Sequence, residues 1–204
     1  IFIFTNFINT LTVLDHRSGL GEIFKFFLIQ GKNKFNEFIK NIDYLLNYNV
    51  EILIIYLKKS LLFKKSIIEK DEFDNDLRKS LNFGHTYGHA LESVSNFVVP
   101  HGIAVVLGIM MANYFSFLIE CLSNQNLKLI NNHIKKIIPN SLILKKEWFN
   151  SNKLIQIMKE DKKCFNNSIS LIILNDNFTV KIKNNIDLEL IIQGINLFQK
   201  EYFN

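Results

Sequence analysis

The sequence predicts a mainly α-helical domain closed by one late β-hairpin. Three observations carry that reading. Apolar residues recur at three- and four-residue intervals along most of the chain, the period of an amphipathic helix. Strict alternation is confined to one stretch near the C-terminus. The 204 residues are 48% hydrophobic and 21% charged, which supplies a sizeable core and leaves no compositional case for disorder.

Ile1–Leu14 alternates loosely and ends in a threonine-containing turn, the pattern of a strand with its exit loop. Arg17-Ser18-Gly19 breaks that pattern. From Leu20 to Asn47 the apolar positions Ile23, Phe24, Phe27, Leu28, Phe35, Phe38, Ile39 and Ile42 keep helical spacing, with Gly31 separating two helices. Val50–Glu69 reads as one long helix, and residues 71–76 as an acidic link. Gly102–Cys121 is an apolar helix; Gln125–Ile138, closed by Pro139, and Asn150–Lys159 are two more. Ser168–Leu174 and Phe178–Ile182 flank Asn175-Asp176-Asn177, a hairpin signal. Asp187 then caps a final helix running to about Tyr202.

Bulk properties narrow the function. Net charge is +5 and the pI about 9.1, but the lysines are scattered as pairs along the chain, so nucleic acid is not the expected partner. Gly102–Ile119 carries no charge and is nearly long enough to cross a membrane. Asn113, Ser116 and the absence of a basic flank favour a buried core helix, so no membrane is expected. Cys121 and Cys164 form no framework and no CxxC occurs, which points to a reduced, cytoplasmic compartment. The chain starts at Ile1 and its first methionine is Met110, as expected of a piece of a longer product.

Chemistry concentrates in Leu81–Gly102, which holds three of the five histidines. His85 and His89 are four apart and share one face of a helix. Gly84 and Gly88 sit at the same spacing, each costing a helix about 1 kcal/mol relative to alanine. Close approach of a ligand or a backbone offsets such a cost. Imidazoles suit zinc, and a catalytic zinc takes three protein ligands and keeps an open position. Spacing alone favours His85 and His89 as the paired ligands. The third would be His101 or a carboxylate brought in by folding.

Residues 78–92, Arg-Lys-Ser-Leu-Asn-Phe-Gly-His-Thr-Tyr-Gly-His-Ala-Leu-Glu, resemble the signature of the dehydroquinate synthases. Pro100-His101-Gly102-Ile103-Ala104-Val105, with Gly108, resembles the second signature of that family. Ser18-Gly19-Leu20-Gly21-Glu22-Ile23-Phe24-Lys25 is similar to its Gly-x-x-Glu-x-x-Lys segment. Lys64, Asp71-Glu72 and Arg78 keep its order and spacing. Asp161-Lys162-Lys163 resembles its late Asp-Lys-Lys motif, and Phe7-Ile8-Asn9-Thr10-Leu11 its cofactor loop. Six motifs in one order over most of the chain make the resemblance specific.

The resemblance implies the helical C-terminal domain of the dehydroquinate synthase-like fold over residues 16–204. Residues 1–15 would be the tail of a preceding NAD-binding domain and its connecting loop. It implies Glu22, His85 and His101 as ligands of Zn2+ (or Co2+), with His89 a catalytic group beside the metal rather than a ligand. Lys25 and Lys64 would be catalytic and substrate-binding, Arg78, Asn82 and Lys162 substrate-binding, and Phe7, Ile8, Asn9 and Thr10 in contact with NAD. The motif does not separate Lys162 from Lys163.

The implied reaction is the NAD- and zinc-dependent conversion of 3-deoxy-arabino-heptulosonate 7-phosphate to 3-dehydroquinate with release of phosphate. That is a lyase step of the shikimate route to chorismate and the aromatic amino acids. The partner would be this small sugar-acid phosphate, and the full-length protein a homodimer. Some features depart from the family. The glycine-rich phosphate loop is absent from these residues, so the isolated chain is expected to be inactive. Ile103 stands where the family often has Glu, and Asp76 where it often has Gly. Two alternatives therefore stand: another sugar-phosphate cyclase of the same superfamily, or a non-catalytic metal-binding remnant.

Overall fold

The computed structural model describes residues 4–73, 77–160 and 169–203. A 3-10 helix, Thr5–Thr10, leads into α1 (Val13–Ile29). The strand expected over Ile1–Leu14 does not form among the described residues. Alternation makes a strand only where a neighbouring strand supplies a ladder. Here Thr12 instead caps a helix, its side-chain oxygen accepting from the Asp15 amide at 3.1 Å. Arg17-Ser18-Gly19, read as a break, lies inside α1. The open side of Gly19 meets nothing within 4 Å, so it weakens the helix without ending it.

Gly31, with φ of 101°, separates α1 from α2 (Lys32–Lys40), a conformation glycine adopts freely. The helix expected to continue to Asn47 stops at Asn41 instead, and α3 (Ile42–Leu46) is a separate turn. Asn41 is held there by its own side chain, whose amide donates to the Glu37 carbonyl and to the Tyr56 hydroxyl. The long helix is present as α4 (Val50–Lys70), capped by Asn49. A second 3-10 helix, Leu77–Asn82, precedes α5 (His85–Val94), α6 (His101–Leu118) and α7 (Asn124–Ile137). A third, Lys146–Phe149, which the sequence pattern did not reveal, precedes α8 (Ser151–Glu160).

The hairpin pairs β1 (Leu171–Leu174) with β2 (Val180–Lys183), antiparallel, Leu171 opposite Lys183 and Leu174 opposite Val180. Asn175 closes the turn, its side-chain oxygen accepting from the Asn177 and Thr179 amides. Ser168, the expected start of the first strand, lies outside the described residues. α9 (Leu188–Phe203) begins where the Asp187 carboxylate accepts from the Glu189 amide.

α6 is the axis of the fold. Residues 102–116 are buried along its whole circumference by α1, α5, α7, α9 and β1. The apolar run is thus a core helix, with 83% of its most apolar window buried. Ile103, one of the departures from the family pattern, is fully buried there, so its identity bears on packing. An aromatic cluster of Phe24, Phe27, Phe35, Phe38 and Tyr56 joins α1, α2 and α4, with edge-to-face contacts such as Phe24 on Phe35 at 5.9 Å. Burying each such ring contributes about 1.5–3 kcal/mol. Together they fix the angle at which α1 presents its other face to α5 and α6.

Candidate active site

Glycine contacts at two helix crossings build the site. Where α1 crosses the start of α6, a Cβ on Gly102 would stand 1.9 Å from the Ser18 carbonyl oxygen, and one on Gly21 2.3 Å from that of Gly102. Where α5 crosses α6, a Cβ on Gly108 would stand 2.0 Å from the Gly84 carbonyl oxygen. No side chain fits at either crossing, so three helices meet backbone to backbone. Pro100 precedes α6 and has no side-chain group to cap it; the Ser18 hydroxyl of α1 does so instead, accepting from the Gly102 amide at 2.9 Å. Glu22, one turn beyond Ser18, is thereby carried to His101. Gly84, in the left-handed region at φ of 81°, turns the chain into α5 so that His85 is its first residue.

Three donors converge at this corner. Oε1 of Glu22 lies 3.8 Å from Nε2 of His85 and 3.7 Å from Nε2 of His101. This oxygen is buried and has no hydrogen-bond partner among the described residues. The other carboxylate oxygen accepts from Nζ of Lys25 at 2.8 Å. Each imidazole faces an oxygen acceptor on its far side: Nδ1 of His85 is 3.3 Å from the Phe83 carbonyl, and Nδ1 of His101 is 3.2 Å from Oε1 of Glu92. In both rings the proton belongs on Nδ1, which leaves the Nε2 lone pairs aimed at Glu22. Tetrahedral ligands about 2 Å from a zinc ion stand roughly 3.4 Å apart. An unbonded buried carboxylate oxygen facing two imidazole lone pairs, all within 4.8 Å of one another, fits such an ion.

The electrostatics agree. Burial pushes the His85 imidazole down to about 3, helped by the Lys25 ammonium and opposed by Glu22, so the ring is neutral. Burial works against the charge on Glu22, but the attraction and hydrogen bond of Lys25 outweigh it. The carboxyl is held below its ordinary range. Lys25, 2% exposed, is lowered by its own burial, and Glu22 only partly restores it.

His89 lies one turn along α5, its ring 5.3 Å from that of His85 and 5.8 Å from that of His101. The four-residue pair favoured by spacing does share a face, yet the carboxylate stands with His85 and His101. His89 also borders a cavity of about 270 Å³ between α5 and α8, with Thr86, Ser93 and Glu160 among its walls.

The remaining expected residues fall into three groups. Lys64 of α4 is exposed, and its charge reaches Lys25. Arg78 is half-buried and anchored to the acidic link: its amide donates to the Asp71 carboxylate at 2.9 Å and its guanidinium to the Glu72 carbonyl at 2.7 Å. Asn82 ends the same 3-10 helix, two residues before Gly84. Phe7, Asn9 and Thr10 are exposed on the first 3-10 helix and Ile8 is half-buried beside them, the helix resting on α4. Lys162 and Lys163 lie outside the described residues, as does Asp76. Sequence reasoning assigned no role to Ser18 or Glu92. Glu92 carried a usable signal, since it follows His85 by seven positions and so returns to the same helix face.

Comparison with known proteins decides the family. The model of the 3-dehydroquinate synthase C-terminal domain matches residues 19–164. The chain belongs to that family. Curated 3-dehydroquinate synthases align over nearly all of it. That of Dictyoglomus thermophilum is 32% identical over 189 residues, 92% of this chain and 52% of its own. That of Pelagibacter ubique is 35% identical over 173 residues, 83% of this chain and 47% of its own. The chain thus spans about half the length of the 3-dehydroquinate synthases it matches.

Solved structures show the same fold at low identity. A 2-epi-5-epi-valiolone synthase from Streptomyces hygroscopicus, with NAD+ and Zn2+ bound, superposes with a TM-score of 0.82 at 15% identity, covering 97% of this chain and 54% of that one. A 2-deoxy-scyllo-inosose synthase, complexed with carbaglucose-6-phosphate, NAD+ and Co2+, gives 0.73 at 18%, covering 90% and 51%. The mainly helical dehydroquinate synthase-like fold read from the sequence is the fold observed.

Proposed function

We propose that this chain is the metal- and substrate-binding part of a 3-dehydroquinate synthase, a lyase that converts 3-deoxy-arabino-heptulosonate 7-phosphate to 3-dehydroquinate and phosphate. The observation that carries the reading is the buried, unbonded Oε1 of Glu22 facing Nε2 of both His85 and His101. Glu22, His85 and His101 would hold a zinc or cobalt ion and leave a position open for substrate. That ion supplies Lewis acidity, and NAD a reversible hydride acceptor. Family membership supports the substrate, and residues 1–15 are read as the end of the NAD-binding domain. The complete protein is read as a cytoplasmic homodimer.

The chain's own residues have separable tasks. Lys25 grips one oxygen of Glu22 and so keeps the other free and ionised. His89 is exposed beside the trio, where it can reach the hydroxyl of a substrate bound there and take its proton. Lys64 and Arg78 add positive charge toward an anionic substrate, and Arg can hold a carboxylate or phosphate with two parallel hydrogen bonds. Asn82 offers an amide for a substrate hydroxyl, and Lys162 a further cation. Phe7, Ile8, Asn9 and Thr10 form a surface turn that NAD can lie against. They cannot cradle its pyrophosphate, and that task falls to the half of the family's length outside this chain.

The test uses the intact protein. One equivalent of zinc should bind, and NAD-dependent phosphate release should disappear on chelation and return with zinc. Glu22→Gln, His85→Ala and His101→Ala should lose zinc, whereas His89→Ala should retain it and lose turnover. Phosphate release that survives Glu22→Gln, or loss of zinc in His89→Ala, would overturn the assignment.

A further inference from the structure

We propose that Glu92 is the positioning residue for His101: its carboxylate accepts a hydrogen bond from Nδ1–H and fixes the tautomer whose Nε2 faces Glu22. The inference rests on the metal reading above and assigns a fourth side chain to that centre.

The two imidazoles are held in unequal ways. The side chain of His85 is 14% exposed and Nδ1 points at a backbone carbonyl, that of Phe83, which no substitution removes. The side chain of His101 is 46% exposed, on the first residue of α6. Its ring stacks on that of His89 at 5.8 Å and meets that of His85 edge-on at 5.3 Å, contacts that set its plane but do not choose which nitrogen carries the proton. The contact that defines it on the Nδ1 side is Oε1 of Glu92 at 3.2 Å. Glu92 itself is firmly placed, with a side chain only 13% exposed on the middle of α5. A largely buried carboxylate on one helix therefore steadies a half-exposed ring on the next. His85, His89 and Glu92 follow one another at four and three residues on a single face of α5. That face contributes one ligand, one proton carrier and the support of a second ligand.

The chemistry requires such a support. Neutral imidazole carries its proton on either nitrogen, and the form protonated on Nε2 has no lone pair to offer there. A carboxylate on Nδ1 selects the useful form and makes Nε2 a stronger donor. His89, Glu92 and His101 also lie within 4.8 Å of one another, as ligands of a second cation could. Such a cation would need Nδ1 of His101 without its proton while Nε2 served the first ion. The hydrogen bond to Glu92 uses the proton that this arrangement would have to remove.

The experiment compares the intact protein with Glu92→Ala and Glu92→Gln. Zinc affinity is measured by competition with a chromophoric chelator. The His101 tautomer is read in the metal-free state by 15N-detected imidazole NMR, and circular dichroism checks folding. Glu92→Ala should weaken zinc binding about 10- to 100-fold, the usual cost of losing such a partner. Its His101 should shift from the Nδ1–H form to a mixture. Glu92→Gln keeps an acceptor oxygen at the same reach and should preserve the Nδ1–H form with a smaller loss of affinity. An unchanged tautomer or unchanged affinity in Glu92→Ala would overturn the proposal. So would two equivalents of zinc in the parent protein with one lost in Glu92→Ala. If the parent bound no zinc the metal reading would fail, while the tautomer would still decide the contact between Glu92 and His101.

Discussion

At its N-terminal end α6 meets α1 and α5 through bare backbone too close to admit a Cβ, whereas toward its C-terminal end it meets α7, α9 and β1 largely through side chains, and Gly194 of α9 leaves room for one. The first end carries Glu22, His85 and His101. The second carries Phe115 and the aromatic contacts around Phe198, among them Tyr114 at 6.1 Å. The difference shows how one helix serves two purposes. A polar site needs donors held to a fraction of an ångström, and backbone contact supplies that because peptide groups cannot change rotamer. A core needs volume filled, and side chains do that with some freedom to adjust. The site end should therefore be intolerant of any added atom, and the core end comparatively forgiving.

The sharpest way to break this comparison is to add one methyl group at each end. Gly102→Ala puts a Cβ 1.9 Å from the Ser18 carbonyl oxygen, and the relief must come from helix separation. It should cost about 3 kcal/mol or more and draw Glu22 away from His101. Gly194→Ala on α9 puts its Cβ 3.4 Å from the backbone and Cβ of Phe115, a contact that a shift of a few tenths of an ångström relieves. Alanine regains about 1 kcal/mol of helix propensity there, so the net change should stay within about 1 kcal/mol of zero. Urea unfolding of both variants reads the difference. Equal losses would mean that the two ends are held alike.

A smaller effect separates the partners of the ion pair. In the metal-free protein Glu22→Ala strands the Lys25 ammonium, 2% exposed, beside apolar neighbours. Breaking a wholly buried pair costs 3–5 kcal/mol, but Glu22 is 30% exposed, so about 2 kcal/mol is expected at pH 7. Lys25→Met leaves Glu22 on a side chain that is still 30% exposed and should change stability by less than about 1 kcal/mol. The sign with pH is fixed as well. Burial lowers the Lys25 ammonium below its unfolded value, so the folded state favours neutral lysine and gains stability as pH rises toward the unfolded value. The penalty in Glu22→Ala should therefore shrink between pH 7 and pH 10 in thermal melts. A penalty that grows with pH would show that the lysine is not buried as an unpaired cation.

Local signals in the sequence reached most of the fold, because a period and a cap act within one turn. α4 and α6 follow from their apolar residues, α6 from an uncharged run, and the turn at Asn175 and the cap of α9 at Asp187 make the bonds their residue types favour. The beginning of the chain was misread because a loosely alternating run and a helix capped by Thr12 compete, and only tertiary neighbours decide. The site was less legible. Periodicity cannot say that Gly21 of α1 touches Gly102 of α6, so the joining of Glu22 to His101 came only through motif resemblance. Spacing by itself pointed to His85 and His89. It missed Glu92 although the seven-residue interval from His85 returns it to the same face of α5, because nothing along α5 says that a ring nitrogen on α6 needs an acceptor.

The smallest effect tests the boundary between the two regimes, which runs through α5. His85 and His89 sit on its site face, while Tyr87 is turned into the core, 1% exposed. Its hydroxyl is buried with no hydrogen-bond partner among the described residues, and burial pushes the phenol far above its ordinary range. A buried hydroxyl left unpaired is a cost that the ring's apolar packing must outweigh. Tyr87→Phe keeps the ring and removes that cost, so stability should rise by up to about 1 kcal/mol. Zinc affinity should not move, because no ligand or ligand support is touched. A loss of more than about 1 kcal/mol on unfolding would show that the hydroxyl does have a partner. The polar network of the site would then extend through α5 into the core, and the division of α6 into a backbone-held end and a side-chain-packed end would have to be redrawn.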